Sequence, residues 1–123
     1  MSDQLMEEVR QLIDEVLTEL GIAREADIAR YPNVIAMIEQ AFEQFPDRPA
    51  FSSLGQTLTY ADVDRLSGQF AAWLQHHTDL EPGDRIAIQM PNLIQYPVVL
   101  FGAMRAGMVV VNTNPVSYTH LRA

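Results

Sequence analysis

The sequence predicts an α/β fold: a parallel βαβ unit with flanking helices and a short hairpin. Three observations lead there. The stretch from Leu80 to Pro115 reads as turn, strand, helix, strand. Two amphipathic helical patterns precede it, and two short β-type runs lie between the second of those and a third helix. A strand–helix–strand unit of this length crosses over right-handed within a parallel sheet. Such a sheet needs further strands and helices to cover it, so the chain reads as the front of something larger.

The elements follow in order. Leu5, Met6, Val9, Leu12, Ile13, Val16, Leu17 and Leu20 recur at helical spacing, which predicts a helix over residues 3 to 20. Ser2 or Asp3 can cap its start and Gly21 its end. Its other face is mostly acidic, with Glu7, Glu8, Asp14, Glu15 and Glu19, where an interfacial membrane helix would carry Lys and Arg. It therefore reads as a helix that packs on its own domain or on a partner helix.

Residues 21 to 33 form a weakly patterned link. A second helix is expected from Asn33, with Ile35, Ile38, Ala41, Phe42 and Phe45 facing inward and Pro46 stopping it. Pro49 to Ser52 and Thr57 to Thr59 read as strands around the turn Ser53-Leu54-Gly55-Gln56. Thr59 then caps a third helix, and Asp62 is well placed at its positive end. The buried stripe expected there is Val63, Leu66, Phe70, Ala71, Trp73 and Leu74.

Glu81-Pro82-Gly83-Asp84 is a turn, because Pro presets one backbone angle and Gly supplies the permissive one. Arg85 to Met90 is a strand with Ile86 and Ile88 on one side. Asn92 is a candidate cap for the fourth helix, although Pro97 argues for a later start or a bend. Gly107 ends that helix, and Met108 to Val111 is an apolar run expected to be buried on both faces.

Composition narrows the function classes. The 123 residues suit one small domain, and 48% of them are hydrophobic, too many for a disordered chain. Sixteen acidic residues stand against eight basic ones, all eight of them Arg. Nucleic acid and anionic membranes are therefore poor partners, since both call for a basic patch. With no cysteine, thiol catalysis, disulfides and thiolate metal sites are excluded, which fits a reducing cytoplasm. The acidic opening is not expected to act as a signal peptide, and no apolar run is long enough to span a bilayer.

No constellation of side chains carries chemistry by itself. His76 and His77 are adjacent, so on a helix they point about 100° apart and cannot share a metal. They read as a solvated helix end, and His120 has no identified partner. Asp62 and Asp64 face different sides of a helix, which fits a cap and a solvent contact better than an acid/base pair. Gly102 and Gly107 have phosphate-loop spacing, but no Lys-Ser/Thr follows and the segment precedes a strand. Gly102 reads instead as a close helix–sheet approach and Gly107 as a helix end. No catalytic, cofactor-binding or metal residue is assigned.

The assembled segments resemble the N-terminal part of the adenylate-forming, AMP-binding acyl-CoA synthetases. They are Phe45 to Phe51 (FPDRPAF), Leu58 to Asp62 (LTYAD) with the helix after it, Pro82 to Ala87 (PGDRIA) and Met90-Pro91-Asn92. Gln95 to Pro115, ending in Val111-Asn112-Thr113-Asn114-Pro115, looks most like the bacterial long-chain fatty-acid–CoA ligases. The resemblance covers roughly Tyr31 to Pro115 and implies the N-terminal portion of a large α/β domain. It implies a two-step reaction of fatty acid, ATP and CoA through an acyl-adenylate, giving acyl-CoA, AMP and pyrophosphate. The parent would use ATP, Mg2+ and coenzyme A. It would work in the cytoplasm, or as a peripheral protein of the inner membrane. The family's phosphate loop, adenine and ribose motifs and catalytic Lys lie beyond the matched region, so none is carried over and the chain alone is expected to bind none of these cofactors.

The expected layout is residues 1–27 as helix and link, 28–115 as a partial AMP-binding domain, and 116–123 as a tail that departs from the family and reads as a truncation scar. An exposed edge at Val109 to Val111 would favour self-association. Three rivals remain. One is a non-catalytic acidic interaction module, whose first helix resembles that of an acyl carrier protein, although no Asp-Ser-Leu occurs. The second is another acyl-adenylating enzyme of the same superfamily. The third, a small receiver-like domain, would want an acidic cluster at its strand ends.

Overall fold

The computed structural model describes residues 2–22 and 30–115. The expectations for His120 and the 116–123 tail lie outside these residues. The chain divides into two compact units, Met1–Tyr31 and Pro32–Ala123.

The first unit contains α1, Asp3–Glu19. Ser2 is its N-cap, its hydroxyl accepting from the Leu5 N–H at 3.3 Å. Gly21, at φ +66°, turns the chain at the other end. There the Gly21 N–H donates to the Thr18 carbonyl and the Ile22 N–H to the Leu17 carbonyl. This pair of bonds satisfies carbonyls that a helix end leaves open. No side chain of α1 is buried.

The second unit begins with α2, Val34–Gln44, capped by Asn33, whose side-chain oxygen accepts from the Ala36 N–H at 2.8 Å. Phe42 is buried, while Phe45, expected to face inward, is 37% exposed. Phe45 is the cap residue beyond the last turn, so its ring lies against Tyr60 and under the Arg48 guanidinium instead.

Strands β1, Pro49–Ser53, and β2, Gln56–Thr59, form the expected antiparallel hairpin. Both residues of its loop have positive φ, Leu54 at 50° and Gly55 at 78°. That is the two-residue turn that matches strand twist, and it favours Asn-Gly. Leu54 is 89% exposed, so its apolar side chain brings no packing in return. Leu54→Asn is expected to stabilise the chain by about 1 kcal/mol, because an L-residue other than Asn or Gly is strained there. An unchanged denaturation midpoint would show that the turn is not held in this form.

Helix α3, Tyr60–His77, opens with a complete capping box. The Asp62 N–H donates to the Thr59 hydroxyl at 3.2 Å, and the Thr59 N–H donates to the Asp62 carboxylate at 3.0 Å. Val63, Ala71 and Leu74 are buried as expected. Trp73 is not. It is half exposed, stacked between Phe70 and His77 at the border of the stripe. Ser67, fully buried, occupies the centre, because the neighbouring helix comes too close there for a large side chain.

Strand β3, Arg85–Gln89, helix α4, Gln95–Arg105, and strand β4, Val109–Thr113, make the predicted parallel βαβ unit. Ile86 pairs with Val110 and Ile88 with Asn112. The start of α4 corrects the expectation for Asn92. The cap residue is Ile94, and no side chain caps the helix. Starting at Gln95 puts Pro97 in the first turn, where its missing N–H would have had no partner anyway. Gly107, at φ +86°, ends α4 as expected.

The core gathers Ala71 and Leu74 of α3, Ala103 of α4, Ala106 and Met108, with Ile86 and Val110 of the sheet packed against it. Both helices lie on one face of the strand pair. The opposite face is therefore open: Val109 is 48% and Val111 41% exposed. The expected burial on both faces is met on one face in this chain, and the exposed Val109 and Val111 agree with the expectation that the pair needs further elements to cover it.

Candidate functional site

Two adjoining clefts flank the start of α4. The first, about 490 Å³, lies at the carboxyl ends of β3 and β4, the position where open parallel sheets bind ligands. It is lined by Ile88, Met90, Asn92, Tyr96, Asn112 and Thr113, among others. Strand β3 delivers Ile88 and strand β4 delivers Asn112 and Thr113 at matching register. The Tyr96 hydroxyl donates to the Asn112 side-chain oxygen at 2.7 Å, tying α4 to the end of β4. The Thr113 hydroxyl donates to the Ile88 carbonyl at 3.3 Å, closing the other side.

The second cleft, about 300 Å³, lies between β1 and α4 and is mostly apolar. Phe51, Leu93, Ile94, Pro97, Leu100 and Phe101 line it, with Asn92 and Tyr96 shared between the two clefts. Phe51 and Phe101 approach at 6.4 Å between ring centres. The Ser53 hydroxyl donates to the Asn92 carbonyl at 3.4 Å, which links the hairpin to the loop before α4. The site thus offers neutral amides, hydroxyls and apolar walls. It can bind and orient a ligand, and among the described residues that line it there is no carboxylate, imidazole or ammonium to move a proton.

Arg105, which sequence reasoning passed over, fixes the helices behind the site. Its Nη1 lies 2.9 Å from the Asp64 carboxylate, 2.9 Å from the Asp64 carbonyl and 3.0 Å from the Ser67 hydroxyl. Glu39 of α2 lies 3.8 Å away, and the guanidinium sits over the Phe42 ring. Asp64 is therefore an ion-pair partner and not the simple solvent contact expected of it. The available signal was a lone charge in an otherwise apolar helix.

The other residues singled out from sequence are dispersed. His77 stacks on Trp73 at the end of α3, away from both clefts. Among the described residues no cluster of His, Cys, Asp or Glu could hold a metal. Gly102 marks a helix–helix approach rather than the expected helix–sheet one: it abuts Ser67 and Phe70 of α3.

The Asp62 carboxyl is held below its ordinary value of 3.8, first by the Thr59 backbone N–H, then by the Thr59 hydroxyl, with Arg65 assisting. A depressed value in the folded state means that the contribution is complete above 3.8 and is lost as pH falls through the lower folded value. Asp62→Asn is therefore expected to be less stable than the parent sequence at neutral pH. The two should converge on acidification, measured as thermal midpoints by circular dichroism across an acid titration. A gap that persists in acid would assign the effect to lost packing.

A βαβ unit covered on one face, with neutral clefts at its strand ends, defines a portion of an α/β ligand-binding domain. The comparisons say which. Residues 38–122 match the AMP-binding enzyme family, and the chain belongs to it. A long-chain-fatty-acid–CoA ligase of Haemophilus influenzae is 44% identical over 95 residues, 77% of this chain and 17% of that protein. One of Yersinia pestis is 47% identical over 94 residues, 76% of this chain and again 17% of the relative. The solved N-terminal subdomain of Klebsiella oxytoca NpsA superposes with a TM-score of 0.65 at 27% identity, covering 68% of this chain and 22% of that one. The fold is accordingly the N-terminal α/β portion of an adenylate-forming enzyme. No helix among the described residues is long and apolar enough to cross a membrane.

Proposed function

We propose that this chain is the N-terminal portion of an ATP-dependent long-chain fatty acid–CoA ligase. The observation that carries the reading is identity of 44% and 47% to two such ligases across most of the second unit. The parent reaction joins the fatty acid carboxylate to the α-phosphate of ATP, releasing pyrophosphate. The coenzyme A thiol then displaces AMP to leave the thioester. ATP, Mg2+ and coenzyme A are the parent's cofactors in this reading.

The role of this portion is scaffolding. The βαβ unit provides the first strands of a larger sheet, and its open face and edge accept the next layer. The partial domain is residues 28–115, preceded by an added helix and link over 1–27. The isolated chain is inactive: it contains no Lys, and the family's chemistry depends on one.

The test is to read the gene past the codon for Pro115 and assay its full product for palmitate-dependent pyrophosphate release. A frame that continues into a Ser/Thr/Gly-rich loop with a Lys, and activity in the full product but not in this chain, supports the reading. A stop after Ala123 sinks it. The exposed strand also makes the isolated chain prone to self-association. Val111→Lys is expected to shift sedimentation toward monomer, and an unchanged distribution would place the contact elsewhere.

A further inference from the structure

Helix α1 lies outside the family match, which begins at residue 38, so the family's chemistry does not explain it. Its apolar stripe is fully formed, and nothing among the described residues of its own unit covers it. Leu5 is 45% exposed, Val9 40%, Leu12 62%, Ile13 46%, Val16 52% and Leu20 65%. A shallow apolar groove of about 280 Å³ runs along the middle of this stripe. A helix of this length is marginal in water alone and gains most of its stability by packing an amphipathic face, so a continuous apolar face of this kind marks a contact surface.

The charge beside the stripe says what can cover it. Residues 2–22 carry six carboxylates and one arginine, and Arg10 already lies 4.0 Å from Glu7. At helical spacing Glu8, Glu15 and Glu19 fall along one border of the stripe. A second copy complements this border in neither direction. In an antiparallel pair it meets itself, glutamate against glutamate. In a parallel pair it meets the opposite border, which carries Leu17 and Arg10, and Arg10 is already drawn to Glu7 of its own helix. An anionic bilayer is repelled by the same charges.

We propose that α1 is a docking helix for a cationic amphipathic α-helix of another protein, with Lys or Arg along one border of the partner's apolar face. The apolar stripe supplies the contact and the glutamate border sets orientation and partner choice. This stands apart from the ligase reading and survives or fails without it.

The test uses the full chain and a labelled helical Leu/Lys peptide of about 18 residues, with leucines on one face and lysines at its border. A scrambled peptide of the same composition and a Leu/Glu peptide are the controls. Fluorescence anisotropy should show the Leu/Lys helix binding at least about tenfold more tightly than either control. Leu12→Asp should weaken it about tenfold, although the variant is more acidic and would strengthen any unspecific attraction. Leu12→Gln, with circular dichroism unchanged, repeats the result without a new charge. Glu8→Lys with Glu15→Lys should transfer the preference to the Leu/Glu peptide.

Equal binding of the scrambled peptide overturns the proposal, as does indifference to Leu12→Asp. A dimer that depends on chain concentration and is broken by Leu12→Asp assigns the face to a second copy. Binding to phosphatidylcholine vesicles without peptide binding assigns it to a lipid surface. Hydrogen exchange in α1 as slow as in α3 shows the stripe covered by the chain itself. Each of these outcomes also overturns it.

Discussion

Gly102→Ala is expected to destabilise the second unit by about 2 kcal/mol, read as a lower denaturant midpoint at unchanged slope. At this crossing α3 and α4 meet backbone to backbone. An added Cβ would stand 2.7 Å from a ring carbon of Phe70 and 2.8 Å from the Ser67 carbonyl oxygen. The Phe70 ring can turn aside. The Ser67 carbonyl belongs to the backbone of α3 and yields only if the whole helix shifts. Overpacking of this kind costs up to about 3 kcal/mol. Alanine regains about 1 kcal/mol of helix propensity over glycine, which leaves the net loss stated.

Gly68→Ala is the internal control. A Cβ there meets only the Arg105 Nη1 at 3.6 Å, an ordinary contact. That variant should be neutral or slightly stabilised, by up to about 1 kcal/mol from propensity alone. If Gly102→Ala behaves like Gly68→Ala, the helices do not approach as described. A shift of α3 also reaches the sheet, since Ala71 and Leu74 pack with Ala103 in one core.

Arg105→Ala should cost a similar amount, about 2 kcal/mol, by a different route. The side chain is 21% exposed and bridges three helices through Asp64, Ser67 and Glu39. Removing a partner from a wholly buried pair costs about 3–5 kcal/mol. Here Asp64 is 47% and Glu39 51% exposed, so water takes up the freed carboxylates and the ion pairs themselves contribute little. What remains is the loss of the hydrogen bonds to Ser67 and the Asp64 carbonyl, with the packing over Phe42. Asp64→Asn should therefore cost under about 1 kcal/mol, and Arg105→Lys most of the alanine effect, since an ammonium cannot span the same acceptors. A cost for Asp64→Asn equal to that of Arg105→Ala would show that the ion pair dominates.

These two sites mark the border of what was legible in the chain. The capping residues Ser2, Asn33 and Thr59 with Asp62 stand where the pattern placed them, because a cap is decided within three or four residues. The hairpin and the βαβ unit were legible for the same reason: Gly55 and Gly107 admit the positive φ that their turns require. Family membership was legible because segments such as Pro82 to Ala87 keep their order and spacing without reference to distant contacts.

The clefts were less open to sequence reading. Asn92, Tyr96 and Asn112 meet only because β3 and β4 pair at one register and Tyr96 reaches across to Asn112. Trp73, expected in the buried stripe, is half exposed and Ser67 is buried, because the hydrophobic pattern counts side chains on one helix and not the distance to the next. The apolar run from Met108 implied two covering layers, and packing decides which face has one: α3 and α4 cover one face and leave Val109 and Val111 exposed on the other. Local backbone chemistry was enough to determine the elements, their order and the starts of α1, α2 and α3, but not the start of α4. Which faces are covered, where Arg105 finds its partners and where a cleft opens depend on long-range packing, since each requires atoms many residues apart to occupy neighbouring space.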